Sequence, residues 1–245
     1  MGQVHIDVSP TNDNIKTYLR MHSFFDKETN QRLISKKDVS CREIEQNVEG
    51  HKKSSISTKL SKYKQEGLLV ESGDMYIVQE PQGSFISLDE KFCRQLIKTF
   101  NSDTNNIYFW LYRRFNYLKS KGRKCYFTKG QLATEALGKT DQTKNREKVE
   151  SCLTQLCLNG LIGYRIVRYK QTFLRELLYI RTKMVVVDAV DSMVQKLTGD
   201  SELDVKSLNS HYDDISNDVT IIAQFGYDLE KLNQLEEGAN ILCLP

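Results

Sequence analysis

The amino-acid sequence predicts a mainly α protein with small β-hairpins, an α+β chain in which one unit of helix, turn, helix and hairpin occurs twice. A connecting helix joins the copies and an acidic C-terminal segment follows them. Three observations carry this expectation. Apolar residues recur at helical spacing and stop at glycines. The pattern around Ile56, Leu60, Tyr63 and Gly67 returns 93 positions later as Val149, Leu153, Leu156 and Gly160. The net charge of +3 over 245 residues hides a strong asymmetry along the chain. The boundaries that follow are 1–80 for the first unit, 81–102 for the connecting segment, 103–183 for the second unit and 184–245 for the acidic end.

Taken in order, 14–25 reads as a first helix, with Ile15, Tyr18, Leu19 and Phe25 within reach of one face. Ser40 and Glu43 have the spacing of a capping box, in which hydroxyl and carboxylate each satisfy a free amide at the start of a short helix over 41–47. Gly50 breaks the chain, and from Ser54 a second helix buries Ile56, Leu60 and Tyr63. Gly67 ends it, because glycine takes the left-handed C′ conformation without the Cβ penalty. Two short strands, 68–71 and 75–78, then flank a turn at Ser72, Gly73 and Asp74.

Pro81 and Gly83 interrupt the chain, and Leu88, Phe92, Leu96 and Phe100 define the connecting helix over 89–100. The second unit opens with a helix over 103–118 bearing Ile107, Trp110, Leu111, Phe115 and Leu118. A strand at 125–127, a capping box at Thr128 and Gln131, and a short helix over 129–137 closed by Gly138 follow. A long helix spans about 142–159. A longer hairpin, 164–168 and 177–180, turns at 169–172.

Each copy resembles a winged helix-turn-helix domain, most tellingly at Gly67-Leu68-Leu69 and Gly160-Leu161-Ile162, and the resemblance covers roughly 13–80 and 103–181. It implies a second helix laid in the major groove of DNA, with outward side chains on base edges and nearby cations on phosphates. In the first copy those positions are Lys52, Lys53, Ser54, Ser55, Ser57, Thr58, Lys59 and Lys62. In the second they are Lys139, Thr140, Gln142, Thr143, Lys144, Asn145, Arg146 and Lys148, with Arg165, Arg168, Lys170 and Gln171 around the wing. Arg113, Arg114, Lys119, Lys121, Arg123 and Lys124 add a basic cluster at the end of the preceding helix. Residues 81–183 hold 20 basic and 8 acidic side chains, a surplus that favours phosphate contact and strong salt dependence. Residues 1–80 are balanced, with 12 of each sign.

The resemblance extends to tandem winged helices of plasmid and phage replication initiators and of transcription regulators. Sequence-specific binding of double-stranded DNA is the function it implies. Tandem winged helices with a basic second copy and an acidic end are also similar to the kite subunits of bacterial SMC–kleisin complexes, so a protein-docking role in DNA organisation is the alternative.

Other chemistries find little support. Residues 133–140 approximate a phosphate-binding loop, but that loop follows a strand and opens a helix, whereas these residues read as a helix and its exit. The histidines at 5, 22, 51 and 211 are isolated and no nucleophile elbow occurs, so neither an enzyme nor a cofactor is expected. His51, beside Lys52 and Lys53, reads as a turn residue that could also face phosphate. The six cysteines form no CxxC pair, which points away from zinc and disulfides and towards a reducing cytoplasm; Cys152 and Cys157 read as small buried hydrophobes. No window of about 18 uncharged apolar residues occurs, and the start has no export pattern, so a cytoplasmic, nucleoid-associated location is expected.

In the acidic end, Val190, Met193, Val194 and Leu197 form a helical stripe suited to homodimerisation or to packing on the second unit. Residues 199–245 alternate acidic and apolar side chains. Three outcomes fit them: one or two helices, a protein partner, or a phosphate mimic lying over the basic surface.

Overall fold

The computed structural model describes residues 2–81, 83–121, 125–169, 173–180 and 219–226, with backbone alone for 165–169, 173–180 and 219–226 and for Lys119 and Tyr126. The molecule is mixed α and β, with helices and small antiparallel sheets. It divides into two compact units, Met1–Arg113 with Glu135–Lys139, and Arg114–Thr134 with Thr140–Pro245.

The first unit begins with a two-stranded ribbon absent from the sequence expectation, β1 (Gln3–Asp7) against β6 (Phe85–Asp89). Val4, Ile6, Ile86 and Leu88 face inward while their neighbours are more exposed, the period-two pattern of a half-buried strand. Helix α1 (Asn14–His22) starts at Asp13, whose side chain accepts from the amides of Ile15 and Lys16. It ends three residues short of the expected boundary. Ser23 turns extended, and Phe24–Asp26 become β2, paired with β3 (Gln31–Ser35). The Asp26 carboxylate accepts from the Glu28 amide and the Thr29 hydroxyl, and Asn30 takes φ 56°, so local turn chemistry overrides helical spacing. Phe25 is therefore 52% exposed instead of joining the helix core.

Ser40 caps α2 (Cys41–Asn47) by accepting from the Glu43 amide. Helix α3 (Lys53–Gln65) buries Ile56, Leu60 and Tyr63 as expected. The hairpin β4 (Leu69–Ser72) and β5 (Met75–Val78) follows, and the sheet runs β2, β3, β5, β4. Helix α4 (Glu90–Thr99), capped by Asp89, buries Phe92 and Leu96, with Phe100 buried just beyond its end. Helix α5 (Ser102–Ser120) starts in this unit, burying Ile107, Trp110 and Leu111, and passes into the second unit after Arg113.

In the second unit β7 (Tyr126–Phe127) precedes α6 (Lys129–Gln131), whose capping box at Thr128 and Gln131 is complete in both directions. The helix widens into a π-type turn over Leu132–Ala136, which passes into the first unit after Thr134, so residues 133–136 are helical and do not form a phosphate loop. Helix α7 (Thr143–Leu158) buries Val149, Cys152, Leu153, Leu156 and Cys157, and burial pushes the Cys157 thiol up to about 12. Strands β8 (Ile162–Tyr169) and β9 (Phe173–Ile180) extend the hairpin at both ends. Tyr164 is buried edge-on to Phe127, its ring centroid 5.7 Å away.

The two copies share more than spacing. Leu68 N–H donates to the Tyr63 carbonyl and Gly67 N–H to that of Lys64; 93 residues on, Leu161 donates to Leu156 and Gly160 to Cys157. Both are Schellman closures, with φ of 73° at Gly67 and 66° at Gly160. In each sheet the strand ahead of the helix pair lies beside the last strand of the hairpin, β3 on β5 and β7 on β9.

The acidic end contains one described element. Residues Val219–Gly226 form β10, antiparallel to β8 with a bulge between Ile221 and Ala223, where helices were one expectation. Val219, Thr220, Ile221 and Ile222 are β-branched, and the edge of β8 offers unpaired backbone groups. The stripe of Val190, Met193, Val194 and Leu197, and the turn at 170–172, lie outside the described residues.

Two histidines of the first unit are expected to make its stability pH-dependent. Burial, then the Arg94 charge, holds His22 below its ordinary value, and burial, then Lys59, does the same for His51. Depressed histidines favour the neutral folded state, so the unfolded chain binds more protons below its histidine pKa of about 6.5. Stability is full above that value and falls as pH drops through the lowered ones. Thermal melts from about pH 7 to about pH 5 should show a falling Tm, with a shallower fall in His22→Gln; equal slopes would exclude His22 as a contributor.

Candidate nucleic-acid interface

Helix α3 presents its outer face without a carboxylate, since residues 50–65 contain five lysines and no Asp or Glu. Lys52 is the N-cap and makes no side-chain capping bond, and it is exposed together with Lys53, Ser54, Ser55, Ser57, Thr58 and Lys62. The Lys53 amide is taken by Glu45 of α2 at 3.3 Å. Ser55, Thr58 and Ser61 donate back to the carbonyls of Lys52, Ser54 and Ser57, leaving their oxygen lone pairs outward as acceptors. Lys62 lies 3.5 Å from Glu66, an exposed pair of small energetic weight.

Lys59 departs from the expected pattern. It turns inward to Asp13 at 2.8 Å and is not part of the outward lysine set. His51 is half-buried, its Nε2 3.4 Å from the Ser102 hydroxyl. Two positions escaped the sequence reading, Ser61 and Gln65, both exposed; their spacing of seven and eleven from Ser54 puts them on the same face. Lys36 also went unnoticed. Its amide donates to the Asp74 carbonyl at the hairpin turn, and its ammonium and that of Lys64 lie 5.4 and 4.8 Å from the Tyr76 ring centroid. Nothing in local spacing signals that arrangement, because it depends on β3 pairing with β5.

The corresponding region of α7 is more internally paired. Gln142 is the N-cap, again with no side-chain capping bond, and Thr140, Gln142, Thr143, Lys144 and Lys148 are exposed. Asn145 donates to the Thr140 carbonyl at 2.8 Å. Arg146 grips Asp141 with two parallel bonds, 2.5 and 2.8 Å, while the Asp141 carboxylate rests against Gly130, where a Cβ would lie 2.5 Å from Oδ2. A phosphate would have to compete with that fork.

Lys139 belongs to the first unit and pairs with Asp103 at 3.4 Å. Arg113 and Lys121 are exposed. Arg114 is half-buried beside Cys125: burial pushes that thiol up to about 11, against the charge and hydrogen bond of the guanidinium. Arg123, Lys124, Lys170 and Gln171 lie outside the described residues, as do the side chains of Lys119, Arg165 and Arg168. The backbone register does place Arg165 and Arg168 opposite Gln224 and Thr220 of β10.

Among the described residues no cluster of three metal-ligating side chains occurs, and no helix is long and apolar enough to cross a membrane. No family model, curated protein or solved structure matches this chain.

Proposed function

We propose that the chain binds double-stranded DNA in a sequence-specific manner through two winged helix-turn-helix units, as a transcription regulator or replication initiator. The observation that carries the reading is the outer face of α3. It holds exposed hydroxyls and lysines with no carboxylate, on a helix whose opposite face is fastened to the core by Ile56, Leu60 and Tyr63. Hydroxyls and amides serve base edges and lysines serve phosphates. In both copies the strand that leads into the helix pair lies beside the last strand of the hairpin, β3 on β5 and β7 on β9, which supports a winged-helix reading of each.

Selection from a random duplex pool at moderate salt tests it. Enrichment of one sequence is expected, and an inverted repeat would indicate a homodimer, since site symmetry mirrors protein symmetry. No binding at about 50 mM salt, where electrostatic contacts are strong, would overturn it. Indifferent binding of every duplex, with a coiled-coil partner co-purifying, would favour the kite-type subunit instead.

A further inference from the structure

The Asp13 carboxylate joins two helices. Its Oδ1 accepts from the amides of Ile15 and Lys16, both at 3.0 Å, and so caps α1. Its Oδ2 accepts from the Lys59 ammonium at 2.8 Å and from the Tyr63 hydroxyl. Lys59 and Tyr63 stand one turn apart on α3, so one carboxylate holds that helix at two heights. The Lys16 ammonium covers the Tyr63 ring, 5.4 Å from its centroid. The turn ahead of α3 is tied to the same end of α1, because the Ser102 hydroxyl accepts from the Asn14 amide at 3.1 Å and lies 3.4 Å from His51 Nε2. The Asp13 and Lys59 side chains are only 13% and 32% exposed, so solvent screens the pair far less than a surface pair.

Resting on the DNA-binding reading above, we propose that Asp13 and Lys59 are positioning residues that fix the roll of α3 about its own axis, and thereby select which side chains face the groove. Those side chains are Ser54, Thr58, Ser61 and Gln65. The buried residues of α3, Ile56, Leu60 and Tyr63, form a single file one residue wide, and so narrow a stripe does little by itself to fix the helix against rotation. A roll of about 20° moves a side-chain tip about 6 Å from the axis by about 2 Å, enough to break a base-edge hydrogen bond. An ion pair at one side of the stripe opposes that roll. Burial alone would raise the Asp13 carboxyl, but Lys59, Tyr63 and the Lys16 amide outweigh it and hold it below the ordinary carboxylate range. Burial and the Asp13 charge raise the Tyr63 hydroxyl, which stays a donor.

The test uses the full chain, the duplex that the wild type enriches from a random pool, and a scrambled duplex of equal composition, each titrated across a range of salt. Lys59→Met keeps the aliphatic stem and removes the charge; Asp13→Asn keeps a good N-cap and removes the charge. Both are expected to lower the ratio of specific to scrambled affinity about tenfold, leaving scrambled affinity and its salt slope unchanged, and Lys59→Arg should restore the ratio. A Lys59→Met variant that weakens both duplexes alike and flattens the salt slope by about one unit would make Lys59 a phosphate contact and overturn the proposal. A lower Tm with an unchanged ratio would overturn it as well, leaving a purely structural pair. A wild type that enriches no duplex would instead bring down the DNA-binding reading, and this role with it.

Discussion

Reversing two lysines at the start of α3, in Lys52→Glu/Lys53→Glu, is expected to lower affinity for duplex DNA about a thousandfold at physiological salt. Both side chains are exposed at the helix N-terminus, ahead of the hydroxyl-rich face. A unit charge about 4 Å from a phosphate is worth about 1 kcal/mol in water, and the double reversal changes four units of charge. About 4 kcal/mol corresponds to roughly three decades in Kd. The slope of log K against log salt should fall by about two, one for each lost phosphate contact. Folding should not suffer, because carboxylates at a helix N-terminus interact favourably with its dipole. Fluorescence anisotropy with a labelled duplex across a salt series, beside thermal melts, measures both quantities. Affinity within a factor of three of the wild type would remove α3 from the interface. Arg146→Ala should have a much smaller effect, since that guanidinium is already held by Asp141.

Much of this framework is legible from local chemistry. The Schellman closures at Gly67 and Gly160, the complete capping box at Thr128 and the buried stripe of Ile56, Leu60 and Tyr63 depend on residues within a few positions of each other. The elements that escape are those decided by distant pairing. The alternation of Val4 with Ile6 is too short to mark a strand until Ile86 and Leu88 complete the ribbon some 80 residues later. Phe25 satisfies helical spacing, yet the turn chemistry of Asp26 and Asn30 draws it into β2. Within the candidate interface, composition locates the basic residues but not their partners. Lys59 and Lys62 look equivalent in sequence, and only the arrival of Asp13 from another helix turns one of them inward.

The division into two compact units predicts two thermal transitions, each moved by a different core substitution. Ile56 is fully buried in the first unit and Leu153 in the second. Truncating a buried Ile or Leu to Ala removes its transfer energy and leaves a cavity, at a cost of about 2–5 kcal/mol. For a cooperative unit near 100 residues, about 3 kcal/mol lowers Tm by roughly 12–24 °C. Ile56→Ala should therefore move one calorimetric transition and Leu153→Ala the other. Chain continuity works against full independence: the turn over Leu132–Ala136 begins in the second unit and ends in the first, and α5 begins in the first and ends in the second, so melting either unit frays that helix. Coupling through that helix would draw the unshifted transition down by a fraction of the larger change. If the wild type melts in one transition that both variants lower equally, the units fold as a single cooperative body. The two compact units would then be geometrically distinct without being thermodynamically separate.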